Sequence, residues 1–250
     1  MKILTLLKRV PDTAAKIRVA GDGKRIDPAG VEFVINPYDE IALEQALRVK
    51  EAGGGHSVAV LCLGTKDATK EIRTALAMGA DEGILLIDGA GERDAAASAA
   101  ALAAALSEVK PDLILCGWKA VDTDDGAVPH LLAARLGLPC VTLVTKFVLD
   151  GTALTLHREV EGAEEVVSVK LPAVVSVQKG LAEPRYTSLK GIMMAKKKTI
   201  AEKPGAAAEP KVRILALEPP PERKAGRIVG TGPEAVPALV KALSEEQKLI

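Results

Sequence analysis

Three segments of this chain group residues suited to holding a ligand or a partner. The first is Val34-Ile35-Asn36-Pro37-Tyr38-Asp39-Glu40. Asn36 is a good helix N-cap, Pro37 suits the first helical position, and Asp39 three residues on completes a capping-box-like pair. Capping accounts for those three residues with no ligand at all. It leaves Tyr38 unexplained, and a nucleotide-site role for the segment stands level with it. The second segment is Gly117-Trp118-Lys119-Ala120-Val121-Asp122-Thr123-Asp124-Asp125-Gly126. Gly117 permits close approach of backbone to a ligand. Asp122 or Asp124 can accept ribose hydroxyls, as an acid does in dinucleotide-binding folds. Three acids beside a phosphate repel it, so a phosphate here would rest on backbone N–H groups or on Lys119. The bland alternative is an Asp-capped helix with solvated acids; the one Trp of the chain favours a site. The third segment runs from Gly180 to Lys198. It reads either as a loop entering a short helix with a solvated lysine face, or as a docking loop. In the second reading Leu189 is an apolar anchor beside Tyr186, with Lys196, Lys197 and Lys198 steering an acidic partner.

Groups for bond-breaking chemistry are missing from the pattern. His56, His130 and His157 have no Ser or Cys partner by motif, and there is no GxSxG or HExxH. Acids alone around Asp122 make a poor metal site. No Walker A loop occurs, and no GxGxxG follows a strand. Gly53-Gly54-Gly55 is better read as a helix stop, and Gly230-Thr231-Gly232 follows no strand.

Composition narrows the class. In 250 residues, 33 Lys+Arg balance 33 Asp+Glu, which argues against a general nucleic-acid binder. Cys62, Cys116 and Cys140 are widely spaced with no CxxC, against a disulfide framework or zinc ribbon and in keeping with a reducing compartment. No apolar run reaches the roughly 18 residues of a spanning helix. Ile3–Leu7 is too short for a signal peptide and runs into Lys8-Arg9, so a cytoplasmic protein is expected. Rings are scarce: one Trp, two Tyr and two Phe. Of these, Phe33, Tyr38, Trp118 and Tyr186 fall in or beside the three segments, and only Phe147 sits in an ordinary strand.

The elements that must position those segments follow from hydrophobic patterning. Ile3–Leu7, Ser57–Leu63, Gly83–Ile87 and Leu113–Cys116 read as buried strands. They alternate with helices over Asn36–Lys50, Asp67–Met78, Ala95–Leu106 and Ala127–Leu136. That alternation predicts an α/β fold with a doubly wound, mostly parallel sheet. Ligands then bind beyond the strands' carboxyl ends: Lys8–Thr13, Leu63–Thr65 and Gly117 onward. Val141–Leu149, Ala153–Arg158, Val166–Lys170 and Ala173–Val177 are β-rich and are expected as an antiparallel or edge addition. Ala201–Pro210 reads as a linker, and Val212–Leu217 as one further strand. A last helix starts at Gly232-Pro233-Glu234, its Val236, Leu239, Val240 and Leu243 forming one apolar stripe. So short a tail cannot bury that stripe by itself. It either returns to its own domain or wraps a partner subunit, and the long stiff connection favours the partner. The expected division is a nucleotide-binding domain over 1–198, including the loop at 180–198, and a C-terminal arm over 199–250.

The combination resembles the β subunit of electron-transfer flavoproteins over nearly the whole chain. The resemblance is carried by Lys8-Arg9-Val10-Pro11-Asp12 with Lys16-Ile17-Arg18-Val19, and by Asn36-Pro37-Tyr38 with Glu40. Two longer and more specific stretches are Ile72-Arg73-Thr74-Ala75-Leu76-Ala77-Met78-Gly79-Ala80-Asp81, and Glu183-Pro184-Arg185-Tyr186 through Leu189 to the lysine run. It implies an adenine-nucleotide α-hydrolase-like fold and a heterodimer with an α subunit that holds most of the redox FAD. The stretch Val10–Thr13, Thr13 included, would close one side of the isoalloxazine ring. It implies an AMP without redox chemistry, at positions matching Leu6, Lys8, Asn36, Pro37, Tyr38, Asp39, Leu63, Gly64 and Gly117–Val128, with Lys119, Ala120, Asp122, Asp124 and Val128 among them. The loop ending at Leu189 resembles the family's recognition loop for acyl-CoA and related dehydrogenases, whose electrons pass to a quinone-linked or other acceptor. The chain would be a carrier rather than an enzyme by itself. Lys119 stands where the family usually has Gln, and Ala127-Val128-Pro129 where it has Gln-Thr/Val-Gly. Some members carry a second FAD in place of AMP, and that alternative stays open. So does a stand-alone nucleotide-binding domain of universal-stress type, although the glycine-rich phosphate loop expected of it is lacking.

Overall fold

The computed structural model describes residues 1–88, 93–221 and 225–250. The first apolar runs become strands: β1 Lys2–Leu7, β4 Ser57–Gly64, β5 Glu82–Ile87 and β6 Leu113–Gly117. Between them lie a short antiparallel pair, β2 Arg9–Pro11 and β3 Phe33–Ile35, and the helices α1 Pro37–Glu51, α2 Thr69–Met78 and α3 Ala95–Val109. α4 Val128–Leu136 follows β6, and then come β7 Cys140–Asp150, β8 Ala153–Val160, β9 Ala163–Lys170 and β10 Ala173–Val177. The chain ends with α5 Leu189–Lys197, β11 Ile200–Pro204 and α6 Val236–Lys241.

One nine-stranded sheet dominates, in the order β11-β5-β4-β1-β6-β10-β7-β8-β9. Every pairing from β11 to β7 is parallel. Only the β7-β8-β9 ribbon is antiparallel. The sheet is covered on both faces, so successive residues of one strand feed two cores. Ile3 and Leu7 of β1 join α1 and α2 through Leu43, Leu47, Ile72 and Leu76. Leu4 and Leu6 join α3 and α4 through Ala99, Leu102, Leu106 and Leu132. The order reverses at β1, with β4 on one side and β6 on the other. The carboxyl ends of those strands splay around a crevice there, as in doubly wound sheets generally.

Three sequence expectations are corrected. Ala173–Val177 is not part of an antiparallel addition; it is the inner parallel strand β10, between β6 and β7. All five of its residues are buried, which suits a strand covered on both faces. The expected linker contains β11, which extends the sheet beside β5 and is followed by a Gly205 N–H to Ile87 carbonyl bond of 2.8 Å. Val212–Leu217 forms no strand, because the Lys211 and Val212 N–H groups are taken by the Asp94 carboxylate at 2.5 and 2.8 Å. The terminal stripe is open in this chain: Val236, Leu239 and Val240 are each about half exposed. Among the described residues, no helix is long and apolar enough to cross a membrane.

Candidate functional site

Two polar side chains at the start of α1 lock the strand ends together. Asn36 occupies the N-cap position but makes no capping bond with its side chain. Its Nδ2 donates to the Lys119 carbonyl at 2.9 Å, and its Oδ1 accepts the Val121 N–H at 3.2 Å. Asp39 does not complete a capping box either. Its two oxygens accept the Lys8 N–H and the Gly117 N–H, each at 2.8 Å. The capping reading is therefore replaced by a strut: the loops after β1 and β6 hang from the first turn of α1. Both residues are buried, Asn36 at 1 % and Asp39 at 6 % exposure. Burial pushes the Asp39 carboxyl up to about 7, against the pull of the two backbone donors. Gly117 is required by this packing, since a Cβ there would sit 2.5 Å from Tyr38 Cβ and 2.7 Å from Asp39 Oδ1.

Tyr38 and Trp118 meet edge to face across this junction, their ring centroids 5.8 Å apart. Lys119 Nζ lies 4.5 Å from the centre of the Trp118 ring and pairs with Asp124 at 2.5 Å, while Lys8 pairs with Asp122 at 2.8 Å. Two of the loop's three acids are thus paired with lysines, and the third, Asp125, accepts the Ala127 N–H at 3.2 Å. Asp124 and Gly126 are both in the left-handed region, which folds the loop back towards Trp118.

Beyond the strand ends lies a cavity of about 590 Å³, within the size range of small-ligand sites. Of the residues singled out from sequence, Leu6, Lys8, Asn36, Asp39, Leu63, Gly117, Lys119, Ala120 and Val128 line it. Pro37, Tyr38, Gly64, Asp122, Asp124 and Thr13 are not among its lining. Tyr38 packs behind the wall, Asp122 and Asp124 serve as counterions, and Thr13 is exposed on the turn after β2. Sequence reading missed two further walls: the start of α3 from Asp94 to Ser98, and the tail residues Lys211, Val212 and Ile214. The Asp94 N-cap was a visible signal for the first; the second is a long-range contact.

The walls are largely apolar, from Leu6, Leu63, Val128 and Pro129, with a few polar groups set into them. Two helix N-termini reach the cavity and differ in kind. That of α3 is filled by Asp94, which accepts the Ala97 N–H at 2.7 Å. That of α4 has no side-chain cap on its own N-cap residue; Pro129 has no N–H to offer and Asp125 accepts the Ala127 N–H at 3.2 Å, which leaves the Val128 and His130 N–H groups of the first turn to meet an anion. The Trp118 indole N–H is buried and has no protein partner. An apolar slot, an open helix start and an unspent donor together fit a base plus a phosphate. Cys116, also in the wall, stays a thiol because burial raises it well above the ordinary range. Among the described residues, no cluster of His, Cys, Asp or Glu could hold a metal ion.

The third segment lies away from the cavity. Ser188 caps α5 through the Gly191 N–H at 3.0 Å. Gly191 lies so close to the Ala77 carbonyl that a Cβ would collide with it. Tyr186 and Leu189 are 100 % and 84 % exposed, next to exposed Met193 and Met194. Lys196 and Lys197 are solvated, whereas Lys198 turns in and donates to the Ala80 carbonyl.

Comparison with known proteins places the chain in a family. The family model described as the electron transfer flavoprotein domain matches residues 24–208. The electron transfer flavoprotein subunit beta of Syntrophomonas wolfei is 45 % identical over 238 residues, covering 94 % of this chain and 92 % of its own. That of Bacillus subtilis is 40 % identical over the full length of both, and that of Homo sapiens 39 % identical over 96 % of both. Such similarity over nearly the whole length means that the chain belongs to the electron transfer flavoprotein family, among its β subunits.

Proposed function

We propose that this chain is the β half of a cytoplasmic heterodimer that carries electrons from acyl-CoA-type dehydrogenases to a quinone-linked or other acceptor. It binds one AMP as a structural ligand in the cavity at the strand ends. The observation that carries the reading is the pairing, in one apolar cavity, of the uncapped α4 start with the partnerless Trp118 N–H. A phosphate would rest on the Val128 and His130 N–H groups of α4, because Asp94 fills the other helix start and Asp125 takes the Ala127 N–H. The base would lie between Leu6, Leu63 and Val128. Asn36 and Asp39 act indirectly, holding the loops of β1 and β6 at a fixed separation.

The FAD, held mostly by the α subunit, supplies the electron-carrying ring when bound. This chain's part is to cover one side of it with Val10–Thr13, exclude water there, and present Leu189 to the donor. Arg9 is stacked over Phe33 at 3.7 Å and paired with the buried Glu71 at 3.4 Å, which stiffens the start of that stretch. The open apolar residues of the tail, with Val236, Leu239 and Val240, form the surface that the α subunit would cover. Family membership removes the support for a stand-alone universal-stress-like domain. Co-expression with the α subunit, denaturation and counting of released nucleotides tests the proposal. One AMP and one FAD per heterodimer are expected; two FAD and no AMP, or no adenylate at all, would overturn the AMP assignment.

A further inference from the structure

One side chain ties the exposed loop ahead of α5 to the body of the protein. Arg185 donates Nε and Nη2 to the two oxygens of Glu44 at 2.7 and 2.9 Å. It also gives Nη1 and Nη2 to the two oxygens of Glu51 at 2.5 and 2.9 Å, and its backbone N–H reaches Glu44 at 3.2 Å. Both acceptors lie on α1. Glu44 is nearly buried, its side chain 5 % exposed, and Arg48 reaches it from the next turn at 3.3 Å. Burial works against the ionised form of Glu44, but the hydrogen bonds from Arg185 prevail and hold it below the ordinary carboxylate range.

The neighbouring residues have little else to hold them. Among the described residues, 183–187 make no backbone–backbone hydrogen bond. Tyr186 is fully exposed. The next anchors come only in α5, where Gly191 abuts Ala77 and Arg73 donates to the Ala195 and Lys198 carbonyls at 2.6 and 2.5 Å. Tyr186 therefore sits on a span hung between two fixed points, Arg185 on α1 and α5 on α2, and Leu189 opens α5 where that span ends.

We infer that Arg185, clamped on Glu44 and Glu51, is a positioning residue for electron-donor docking: it presets the turn that presents Tyr186 and Leu189. The inference rests on the proposed docking role of this loop. A segment already held in its bound shape loses less conformational freedom on association, so the clamp acts on affinity rather than on the electron transfer that follows. The planar fork is essential because it spans two carboxylates at once; a lysine is a single point charge and can satisfy only part of the arrangement. Because α1 also carries Asn36 and Asp39, the same helix fixes the nucleotide cavity and the docking turn.

The test uses the intact heterodimer with an acyl-CoA dehydrogenase reduced by its substrate. Arg185→Ala is expected to raise the KM for the carrier roughly tenfold with kcat within about twofold, the scale of ordering one or two side chains. Arg185→Lys should fall between that variant and the parent. Reduction by dithionite should not change, and chymotryptic cleavage after Tyr186 should accelerate. If Arg185→Ala loses flavin or does not fold, Glu51→Gln, on the exposed half of the clamp, should reproduce a smaller rise in KM. Leu189→Ala separates the two ideas. A raised KM for Leu189→Ala with unchanged values for the Arg185 and Glu51 variants would overturn the clamp and leave docking standing. Unchanged values for all of them would remove the docking role and the clamp together.

Discussion

Replacing Gly117 by Ala probes the junction on which the cavity depends. The new Cβ would lie 2.5 Å from Tyr38 Cβ, 2.7 Å from Asp39 Oδ1 and 3.0 Å from the Tyr38 carbonyl carbon. None of these atoms is the free end of a flexible chain. Asp39 cannot swing aside without losing the Lys8 and Gly117 N–H groups, each at 2.8 Å. Tyr38 is backed by the core and by Trp118. Overpacking of this kind costs about 1–3 kcal/mol. Losing one of the buried bonds to Asp39 adds about 1–3 kcal/mol. At about 2–4 °C per kcal/mol for a chain of this size, the midpoint of thermal unfolding should drop by roughly 4–24 °C. Gly64→Ala is the matched control, also at a strand end beside the cavity. Its Cβ would meet only Ala68 Cβ at 3.7 Å, an ordinary contact, so it should change stability by less than about 0.5 kcal/mol. Calorimetry of both heterodimers, with the AMP released by each, is the assay. A Gly117→Ala protein that melts with its parent and holds full AMP would refute the strut as the organiser of the cavity.

Two further outcomes are expected. Deleting residues after Pro204 keeps β11 but removes the tail, with its exposed Val236, Leu239 and Val240 and its Lys211–Ile214 wall. The heterodimer should then separate on gel filtration and release AMP; an unchanged complex would contradict a wrapping arm. Asp39→Asn should turn an amide N–H towards a backbone N–H of Lys8 or Gly117, destabilising by about 1–3 kcal/mol near neutral pH. The pH trend has a definite sign. The folded state prefers the protonated acid, its carboxyl being raised from 3.8 to about 7. The parent's stability relative to the variant should therefore decline between about pH 4 and 7 and level off above. Parallel melting profiles across that window would count against a titrating Asp39.

The parallel part of the sheet was legible because a strand buried on both faces is a continuous apolar run, and Ile3–Leu7, Ser57–Leu63, Gly83–Ile87 and Leu113–Cys116 are such runs. The same logic located the cavity, since strand ends at a switch point follow from connectivity. It failed at β10: Ala173–Val177 is an uncharged run like the parallel strands, but it follows the β7-β8-β9 ribbon in sequence, and only its pairing with β6 and β7 shows its inner place. It also failed at residues 200–217, where partners more than a hundred residues away decide which backbone groups are free: β5 recruits 200–204, and Asp94 takes the N–H groups of 211 and 212.

Residue types alone therefore determined that this polypeptide is a doubly wound α/β protein with a crevice at its strand ends and a tail too short to bury its own apolar stripe. Tertiary structure decided what the polar residues do. Asn36 and Asp39 have the spacing of a helix cap, and local rules assign them to one. Across the fold lie the unpaired groups of 117–121, whose bonds a local cap cannot make, and those groups claim both side chains. Arg185 was likewise one letter in a motif until packing placed two carboxylates of a distant helix within reach of its fork. Hydrophobic pattern is local and periodic, so it can be read along the chain; hydrogen-bond partnership over long sequence separation exists only once the chain has folded.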